Sequence, residues 1–543
     1  QCRGIDMSTG KICCLVLLTL GVLAVVVALV VILNQPKCGP QHYLHGAVAA
    51  DTETCSVIGR DILKSGGTAV DAAIAGLICT SVMNPQSSGL GGGVVFTIYN
   101  ASTGTVEVIN ARETVPRRAN DYPSVTLLFC SSGSRWIAVP GELRGYEEAH
   151  KRHGRLPWKA LFEPTIKLLS DPLTISPVMA KIMDNQNFTS PGKSLCPLIC
   201  DGQRFLKCGE TFRWPALQQT LRAVAENGAT AFYEGHIGQA LVEDIRKAGS
   251  TISLEDLQAY KAEVSSPLNI TLNSHTTVFS PGPPMGGAVL MFILKILEGK
   301  LGYKLHEASL ATPKEKVETY HRIAEALKFA PQRKPCLCFG DTSSVSLLRL
   351  QVPVGTMLSD KIAELVRGRI DAQGDHPLSH YNLLEAIYNH QYESKGTSHI
   401  SVLAADGSAV SATSTINYPP RIRFTGHMQG LCAEDGSTSS SFLRSVSRWS
   451  VFVGFVSLQA IINKLWFGND LEHAISAPIM HTKGVSVLFE EHFSEEVRSG
   501  LLERGHKEEK PEFAMNVVQG VSKEGKCISA YSDRRKLGKS AGY

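Results

Sequence analysis

Three side chains with hydroxyl or amide groups stand at the ends of a predicted β-hairpin. They are Thr397, Thr415 and Asn417, and Gly396 immediately precedes the first of them. A threonine hydroxyl becomes a nucleophile when a base lies beside it, and a preceding glycine leaves its own carbonyl open to attack. An ordinary edge hairpin rich in threonine and serine explains the same residues, so spacing alone leaves both interpretations open.

The hairpin is predicted from alternating residues around a turn. Two strand-like runs, 399–403 and 408–415, flank an Asp-Gly pair. A two-residue turn would place Thr397 opposite Ile416, whereas a three-residue loop with a bulge would place it opposite Thr415. In both registers the two strand ends meet, and they bring the candidate residues to one edge.

The sequence around this hairpin resembles a known family. Gly396-Thr397-Ser398-His399 and the run 408–417 resemble the self-cleavage and active-site segment of the gamma-glutamyltransferase (glutathione hydrolase) family. Other segments resemble it too, namely Ala47–Asp51, Gly67–Ala73, Gly89–Gly93, Val108–Glu113, Val139–Gly145, Arg152–Trp158 and Ser532–Tyr543. Two further stretches, Asn84–Gln86 and Arg112–Pro116, look closest to the leukotriene-processing member of that family. The resemblance runs from about residue 38 to 417 and resumes at about residue 459.

The resemblance implies an α/β fold of the N-terminal-nucleophile hydrolase type, with a four-layer αββα core, made as a proenzyme. Thr397 Oγ would attack the Gly396 carbonyl and form an ester that water hydrolyses. The freed threonine amine, with a pKa of about 8, can then accept the proton of its own hydroxyl. The products would be a large part, 46–396, and a small part, 397–543, that remain together as a heterodimer.

The resemblance also implies the substrates and the roles of three further residues. Thr397 would cleave the γ-glutamyl bond of glutathione and of glutathione conjugates such as leukotriene C4, giving leukotriene D4, and pass the glutamyl group to water or to an acceptor amino acid or dipeptide. Arg112 matches the residue that holds the glutamate α-carboxylate, a bidentate task for guanidinium, although a surface or helix-capping arginine is the plainer alternative. Thr415 matches the hydroxyl that orients the nucleophile, and Asn417 matches a residue that binds the substrate head group. We expect no metal and no cofactor.

The resemblance fails over residues 418–458, and a second departure covers 331–354. In the first segment the family has acidic residues for the substrate amine, a Ser-Ser pair for the carboxylate and a Gly-Gly pair for the oxyanion hole, and none is in register here. Gly454 alone is a poor replacement, since losing one oxyanion donor typically costs about 10²- to 10³-fold in kcat. A working enzyme and a catalytically inactive family member retained as a membrane glycoprotein both stay open. An unrelated adhesion ectodomain fits the matched motifs poorly.

An uncharged apolar stretch lies near the N-terminus. Residues 12–33 carry no charge, and at about 1.5 Å per residue a helix of this length crosses a hydrocarbon core of roughly 30 Å. We expect a signal anchor that follows a cytoplasmic tail, 1–11, and precedes a linker, 34–45. Sequons, which are used only outside the cytoplasm, lie downstream at Asn100, Asn187 and Asn269. The sequence therefore predicts a single-pass type II protein of the plasma membrane with its catalytic part extracellular.

Two cysteine pairs are candidates for disulfides in such an oxidising compartment. Cys55 and Cys79 are nearly equidistant from a Gly-Gly break between two helical patterns, so they would lie level in an antiparallel helix hairpin. Cys196 and Cys200 form the second pair. Buried free thiols are the alternative for both pairs. A zinc site on Cys196, Cys200 and Cys208 is disfavoured, because no histidine pair at finger-like spacing accompanies them.

Composition supports a globular ectodomain and argues against other classes. The 543 residues are 43% hydrophobic and 19% charged, which is ordinary for a chain with a buried core. The net charge of +4, without a Lys/Arg stripe, argues against nucleic acid as a partner. The glycine-rich run 89–93 lacks the spacing of a dinucleotide-binding motif and predicts a tight backbone turn instead.

Overall fold

The computed structural model describes most of the chain outside the N-terminus and several connecting segments. The described residues are 16–26, 38–39, 41–117, 137–184, 196–202, 204–273, 275–283, 285–298, 305–330, 354–381, 397–416, 458–510 and 517–543. Gly396, Asn417 and the sequon at Asn187 lie outside them, as does nearly all of the segment 418–458.

The described strands are, in chain order, β1 (His42–Tyr43), β2 (Ala47–Ala50), β3 (Gly93–Asn100), β4 (Thr105–Ala111), β5 (Leu173–Thr174), β6 (Cys200–Asp201), β7 (Arg204–Phe205), β8 (Thr211–Phe212), β9 (Glu263–Ser265), β10 (Leu268–Leu272), β11 (Thr276–Ser280), β12 (Ser398–Leu403), β13 (Ala409–Thr415), β14 (Met480–Lys483), β15 (Ser486–Phe489), β16 (Gln519–Glu524), β17 (Cys527–Ser532) and β18 (Ser540–Gly542).

The main helices are α1 (Glu53–Lys64), α2 (Ala69–Met83), α3 (Glu142–His153), α4 (Trp158–Leu168), α5 (Pro177–Met183), α6 (Cys196–Ile199), α7 (Pro215–Asn227), α8 (Thr230–Tyr233), α9 (His236–Lys247), α10 (Leu254–Ala259), α11 (Gly287–Glu298), α12 (Pro313–Phe329), α13 (Val354–Met357), α14 (Asp360–Arg367), α15 (Leu378–Tyr381), α16 (Leu471–Ser476) and α17 (Glu495–Glu503). Residues 458–465 are also helical.

A seven-stranded antiparallel sheet forms the centre, with strand order β18-β2-β12-β13-β3-β4-β9. Helices α1, α2 and α3 contact strands of this sheet. A second sheet, of order β1-β17-β16, contacts it through β2 and β12, and α16 contacts the second sheet. These contacts give the order helix, sheet, sheet, helix, which is the α/β layering that the family resemblance implies.

Helix α2 shows why the layers stay together. Thr68 caps its first turn: the Thr68 hydroxyl accepts from the Asp71 backbone N–H, and the Asp71 carboxylate accepts from the Thr68 N–H. Every residue of α2 except Met83 is buried. A helix that is apolar on all sides has to be covered on all sides, and α2 lies between β12 and β13, which it contacts, and helices α1, α3 and α4.

A second hydrophobic core lies around α11 and α12. It includes residues of the hairpins β10–β11 and β14–β15 and of α14 and α17. The apolar run that starts at Gly287 therefore forms a buried helix.

The hairpin β12–β13 settles the register that the sequence left open. Ser398 pairs with Ser414, which places Thr397 level with Thr415. The Ala404 N–H donates to the Ser408 carbonyl, so the loop is Ala405-Asp406-Gly407, and Gly407 has a φ of +87°. The two-residue turn is therefore wrong. A three-residue loop needs a left-handed residue, and glycine adopts that conformation without steric cost.

Three disulfides join described residues. Cys55 on α1 bonds to Cys79 on α2, and Cys196 bonds to Cys200. Because Cys196 and Cys200 are bonded to each other, the alternative of three thiolate ligands for zinc is wrong. Cys208 is exposed and has no cysteine partner within the described part of the chain. The third disulfide, Cys38–Cys527, was not expected from the sequence.

Only part of the predicted membrane span lies among the described residues. Residues 16–26 form a helix, whereas 12–15 and 27–33 lie outside the described part of the chain. Within that part, none of the helices has the length and apolar character that a membrane crossing requires.

Candidate active site

The end of the β12–β13 hairpin opens into a cavity of about 590 Å³. The polar side chains that line it include Arg112, Thr397, His399 and Thr415. The apolar side chains that line it include Phe279, Leu290, Ile461, Leu465, Leu471 and Ile475. The cavity thus combines groups that could orient a charged substrate with a surface that could cover an apolar one.

Thr397 stands at the start of β12 and is only 6% exposed. Its hydroxyl is buried and has no hydrogen-bond partner among the described residues. A buried hydroxyl normally has a partner, so an unsatisfied one in a cavity marks a group that is held for a ligand or a reaction. No described side chain lies in position to act as its base, which fits a threonine that uses its own α-amine.

The backbone of Thr397 is fixed by a cation from the other end of the chain. The Lys536 ammonium donates to the Thr397 carbonyl and lies 3.1 Å from the Asp51 carboxylate. Asp51 is fully buried, and its second oxygen accepts from the Gln519 amide at 2.8 Å. These contacts hold strands β2, β12 and β16 together around Thr397. The Asp51 and Lys536 segments both carried the family resemblance, but neither was expected to reach Thr397.

Thr415, the last residue of β13, is held by the glycine-rich turn. It pairs with Gly93 across β13 and β3, and the next residue, Ile416, donates its N–H to the Ser87 carbonyl at 3.4 Å. A Cβ atom on Gly92 would come within 2.2 Å of the Thr415 carbonyl oxygen. The turn predicted at 89–93 is therefore the surface against which the Thr415 backbone packs, and only glycine fits there.

Arg112 follows β4 and lies 10% exposed in the cavity wall. Its Nε is 3.4 Å from the carboxylate of Glu113, which is almost fully buried. Its carbonyl accepts from the Tyr260 hydroxyl at 2.7 Å, and its N–H donates to Asn110 Oδ1 at 3.2 Å. The Arg112 backbone is thus fixed on both sides, and its residue lines the same cavity as Thr397 and Thr415.

Glu142, a residue that the sequence analysis did not single out, lies fully buried at the start of α3. Burial raises its pKa to about 8, so its carboxyl is protonated at neutral pH. It accepts a hydrogen bond from the Tyr146 hydroxyl. Ser414, the neighbour of Thr415, shares a 2.8 Å hydrogen bond with Ser88. These buried polar groups support the hairpin from behind the cavity.

His399 lines the cavity two residues after Thr397, but its ring is already engaged. Its Nδ1 lies 2.8 Å from the Thr413 hydroxyl and its Nε2 3.2 Å from the Ser401 hydroxyl. Burial lowers its pKa to about 4, so the ring is neutral at physiological pH. We assign it a structural part in the hairpin rather than that of the base.

One other group of ligand-type side chains lies among the described residues. Glu325, His376 and His380 lie close enough to share an ion. However, the Glu325 oxygens already accept from Lys328 and from the Tyr381 hydroxyl. All three residues contact Tyr381 of the second core, and none of them lines the cavity.

Two of the predicted glycosylation sites are described, and both reach the surface. Asn269 is exposed on β10, and Asn100 is partly exposed at the end of β3.

The chain is similar to known proteins both in sequence and in fold. The family model described as Gamma-glutamyltranspeptidase matches residues 55–420 and 455–543. The chain is 44% identical to the glutathione hydrolase 5 proenzyme of Homo sapiens, over 96% of each chain. It is 31% identical to scoloptoxin SSD14 of Scolopendra dehaani, over 91% of this chain and 92% of that one. Among solved structures, a cephalosporin acylase from Bacillus halodurans matches with a TM-score of 0.70 at 21% identity, covering 94% of this chain and 99% of that one, which shows a shared fold.

Proposed function

Because the chain belongs to the gamma-glutamyltranspeptidase family, we propose that it hydrolyses and transfers γ-glutamyl groups with Thr397 as the nucleophile. Its substrates are glutathione and glutathione conjugates, leukotriene C4 among them. Water or an acceptor amino acid or dipeptide takes up the glutamyl group. The observation that carries the proposal is the unsatisfied Thr397 hydroxyl, on a residue that lines the same cavity as Arg112 and Thr415.

The nucleophile is prepared by self-cleavage. Thr397 Oγ adds to the Gly396 carbonyl carbon, the C–N bond between the two residues breaks, and the resulting ester is hydrolysed. The carboxylate stays on Gly396, and the α-amine stays on Thr397. At a pKa of about 8 this amine is partly unprotonated at neutral pH and accepts the hydroxyl proton during attack. The Lys536 contact to the Thr397 carbonyl supports this step, because it fixes the backbone that must place Oγ.

Turnover then needs a charged group that binds the substrate and a hydroxyl that is oriented to attack it. Arg112 binds the α-carboxylate of the γ-glutamyl group through two parallel hydrogen bonds, which fixes the substrate in one orientation. Thr397 Oγ attacks the γ-carbonyl, the amine leaves, and water or an acceptor amine releases the glutamyl ester. Thr415, level with Thr397 across the hairpin, orients the nucleophile, and Asn417 binds the substrate head group.

The apolar wall of the cavity supports conjugates as substrates. Phe279 and Leu465 are 42% and 45% exposed and line the same cavity as Thr397, so they offer apolar area that part of a bound substrate could cover. A lipid or aromatic group on the glutathione sulfur would do so, since burial of apolar area contributes roughly 25 cal/mol per Å².

A second candidate, a catalytically inactive family member, is favoured by one observation. The family model leaves residues 421–454 unmatched, in the region where the sequence also lacks the expected Ser-Ser and Gly-Gly pairs. We expect the chain as printed to turn over at least 10²-fold more slowly than a chimera that carries the corresponding segment of the human glutathione hydrolase 5 proenzyme.

The test is release of the amine from a γ-glutamyl anilide by four proteins: the printed chain, the chimera, and each with Thr397→Ala. The proposal predicts a working chimera, a slow parent and two inactive alanine variants. On a reducing gel the chimera should show two bands and its Thr397→Ala variant one. An inactive chimera would refute the assignment of the reaction to this site, and full activity of the printed chain would refute the argument about the oxyanion hole.

We further propose that residues 12–33 anchor the protein as a type II plasma-membrane protein with its catalytic part outside the cell. This proposal rests on the uncharged stretch and on the downstream sequons. Protease treatment of intact cells should remove the bulk of the chain. Its survival, with surface controls lost, would show that the topology is wrong, and unchanged gel mobility after glycosidase treatment would remove Asn100, Asn187 and Asn269 as used sites.

A further inference from the structure

The disulfide Cys38–Cys527 joins two residues 489 positions apart, with a Cα–Cα distance of 5.8 Å. The proposed cleavage site lies between them, so one cysteine falls in the part before Thr397 and the other in the part after it. The two other disulfides among the described residues both lie within the large part.

The strands around this disulfide hold the same two parts together. Strand β1 pairs with β17, with His42 opposite Ser529 and Tyr43 opposite Ile528. The final residue, Tyr543, accepts hydrogen bonds from the N–H groups of Leu44 and His45 at 3.2 and 2.8 Å. The linker that leads into the large part therefore lies against the last strands of the small part. Those contacts position the two cysteines for pairing.

We propose that Cys38–Cys527 is an interchain disulfide of the mature protein, which covalently ties the chain carrying the nucleophile to the N-terminal segment. The inference rests on the proposed cleavage at Gly396–Thr397. Two thiols are oxidised, losing two electrons and two protons, and a protein disulfide of the secretory compartment is reduced to two thiols by exchange. Where residues 12–33 act as the anchor, the bridge begins a few residues beyond it and keeps the small chain at the membrane.

The bridge changes what happens when the noncovalent contacts fail. Without it, the two cleaved chains separate on unfolding. Dilution then keeps the chain that carries Thr397 apart from the chain that carries Arg112 and Asp51. With it, the two chains stay at a high effective concentration and can refold together.

Gel electrophoresis tests the proposal directly on the full-length, membrane-bound protein. Free thiols are first blocked with N-ethylmaleimide, and the sample is denatured with or without reductant. The cleaved parent should run as one band without reductant and as two bands with it. Cys38→Ser and Cys527→Ser should each give two bands in both conditions. Cys432→Ser is the matched control, because Cys432 is the one other cysteine after residue 396, and it should behave like the parent.

Membranes that carry the same proteins give a second readout. Washing membranes with urea should leave the small chain bound in the parent and should release nearly all of it when reductant is added. This test needs only the parent protein, so it does not depend on whether the serine variants fold. Two parental bands without reductant, or release by urea alone, would overturn the proposal. So would one band from Cys527→Ser without reductant, since another cysteine pair would then join the chains.

Failure of cleavage can be told apart from failure of the bridge. A single parental band with reductant would mean that the chain is uncut, which counts against the proposed function. The bridge is then tested in the uncut protein by peptide mapping without reduction. A peptide pair that links Cys38 to Cys527 supports the disulfide, and alkylated peptides for both cysteines overturn it.

Discussion

Replacing Gly92 by alanine tests whether the glycine-rich turn positions the active-site hairpin. The new Cβ would lie 2.2 Å from the Thr415 carbonyl oxygen and 2.9 Å from its carbonyl carbon. Both are backbone atoms at the end of a paired strand, so no side-chain rotation relieves the clash. The turn or the end of β13 must move.

The size of the movement gives the size of the effect. Non-bonded contacts to a Cβ rarely fall below 3.0 Å, so the atoms must separate by about 1 Å. A misplacement of that size at a reacting group costs about 10²-fold in rate. Overpacking of this kind also costs about 1–3 kcal/mol of stability. We therefore expect a stable protein with kcat reduced about 100-fold.

The assay is γ-glutamyl anilide hydrolysis in the chimera background, with urea unfolding for stability. Gly76→Ala is the matched control. Its Cβ would also meet an atom at 2.2 Å, but that atom is Cδ1 of Ile400, the end of a side chain that can rotate. Gly76 lies inside α2, where alanine gains about 1 kcal/mol of helix propensity. This variant should lose little activity and at most about 1–3 kcal/mol of stability.

Equal rates for Gly92→Ala and the parent would refute the idea that this turn sets the Thr415 position. Equal losses for Gly92→Ala and Gly76→Ala would mean that packing in general, rather than this contact, limits the rate.

Three further variants have defined outcomes. Arg112→Lys keeps the charge but loses the paired hydrogen bonds to the substrate carboxylate. In steady-state kinetics kcat/KM should fall about 10- to 100-fold, mainly through a higher KM. A change in kcat alone would contradict the role of Arg112 in binding the substrate. Lys536→Met removes the cation beside the buried Asp51 carboxylate and leaves it only neutral donors, the Gln519 amide and the His399 N–H, so urea unfolding should show a loss of about 3 kcal/mol; no loss would mean that the ion pair does not contribute. Burial lowers the pKa of His481 to about 4, so between pH 6.5 and 4 the unfolded chain binds more protons than the folded chain, and stability falls as the pH drops through that range. His481→Gln should reduce the slope of unfolding free energy against pH by about 1.4 kcal/mol per pH unit. An unchanged slope would contradict the lowered pKa of His481.

Local patterns predicted the site hairpin, because its two strands and its turn are close in sequence. Alternation and the Asp-Gly pair gave the strands, but the choice between two loop lengths depended on the pairing of β13 with β3 and of β12 with β2, which is not local. The helix hairpin with Cys55 and Cys79 was predictable for the same reason. Its break and its cysteines lie within 24 residues of sequence separation.

The long-range contacts could not be predicted in this way. Lys536 reaches Thr397 across 139 positions, and Cys38 reaches Cys527 across 489. Nothing in the spacing of single charges or cysteines specifies such partners, since they follow from the order of strands in the two sheets. The raised pKa of Glu142 likewise depends on complete burial, which its polar side chain does not suggest.

Mass spectrometry of the small chain tests the central claim, that Thr397 is the nucleophile. The chimera is incubated with a γ-glutamyl anilide, quenched in acid and digested. The account predicts that the small chain begins at Thr397 and that its first peptide carries one γ-glutamyl group, which is absent without substrate. A small chain that begins at another residue, or a γ-glutamyl group on a different peptide, would contradict it.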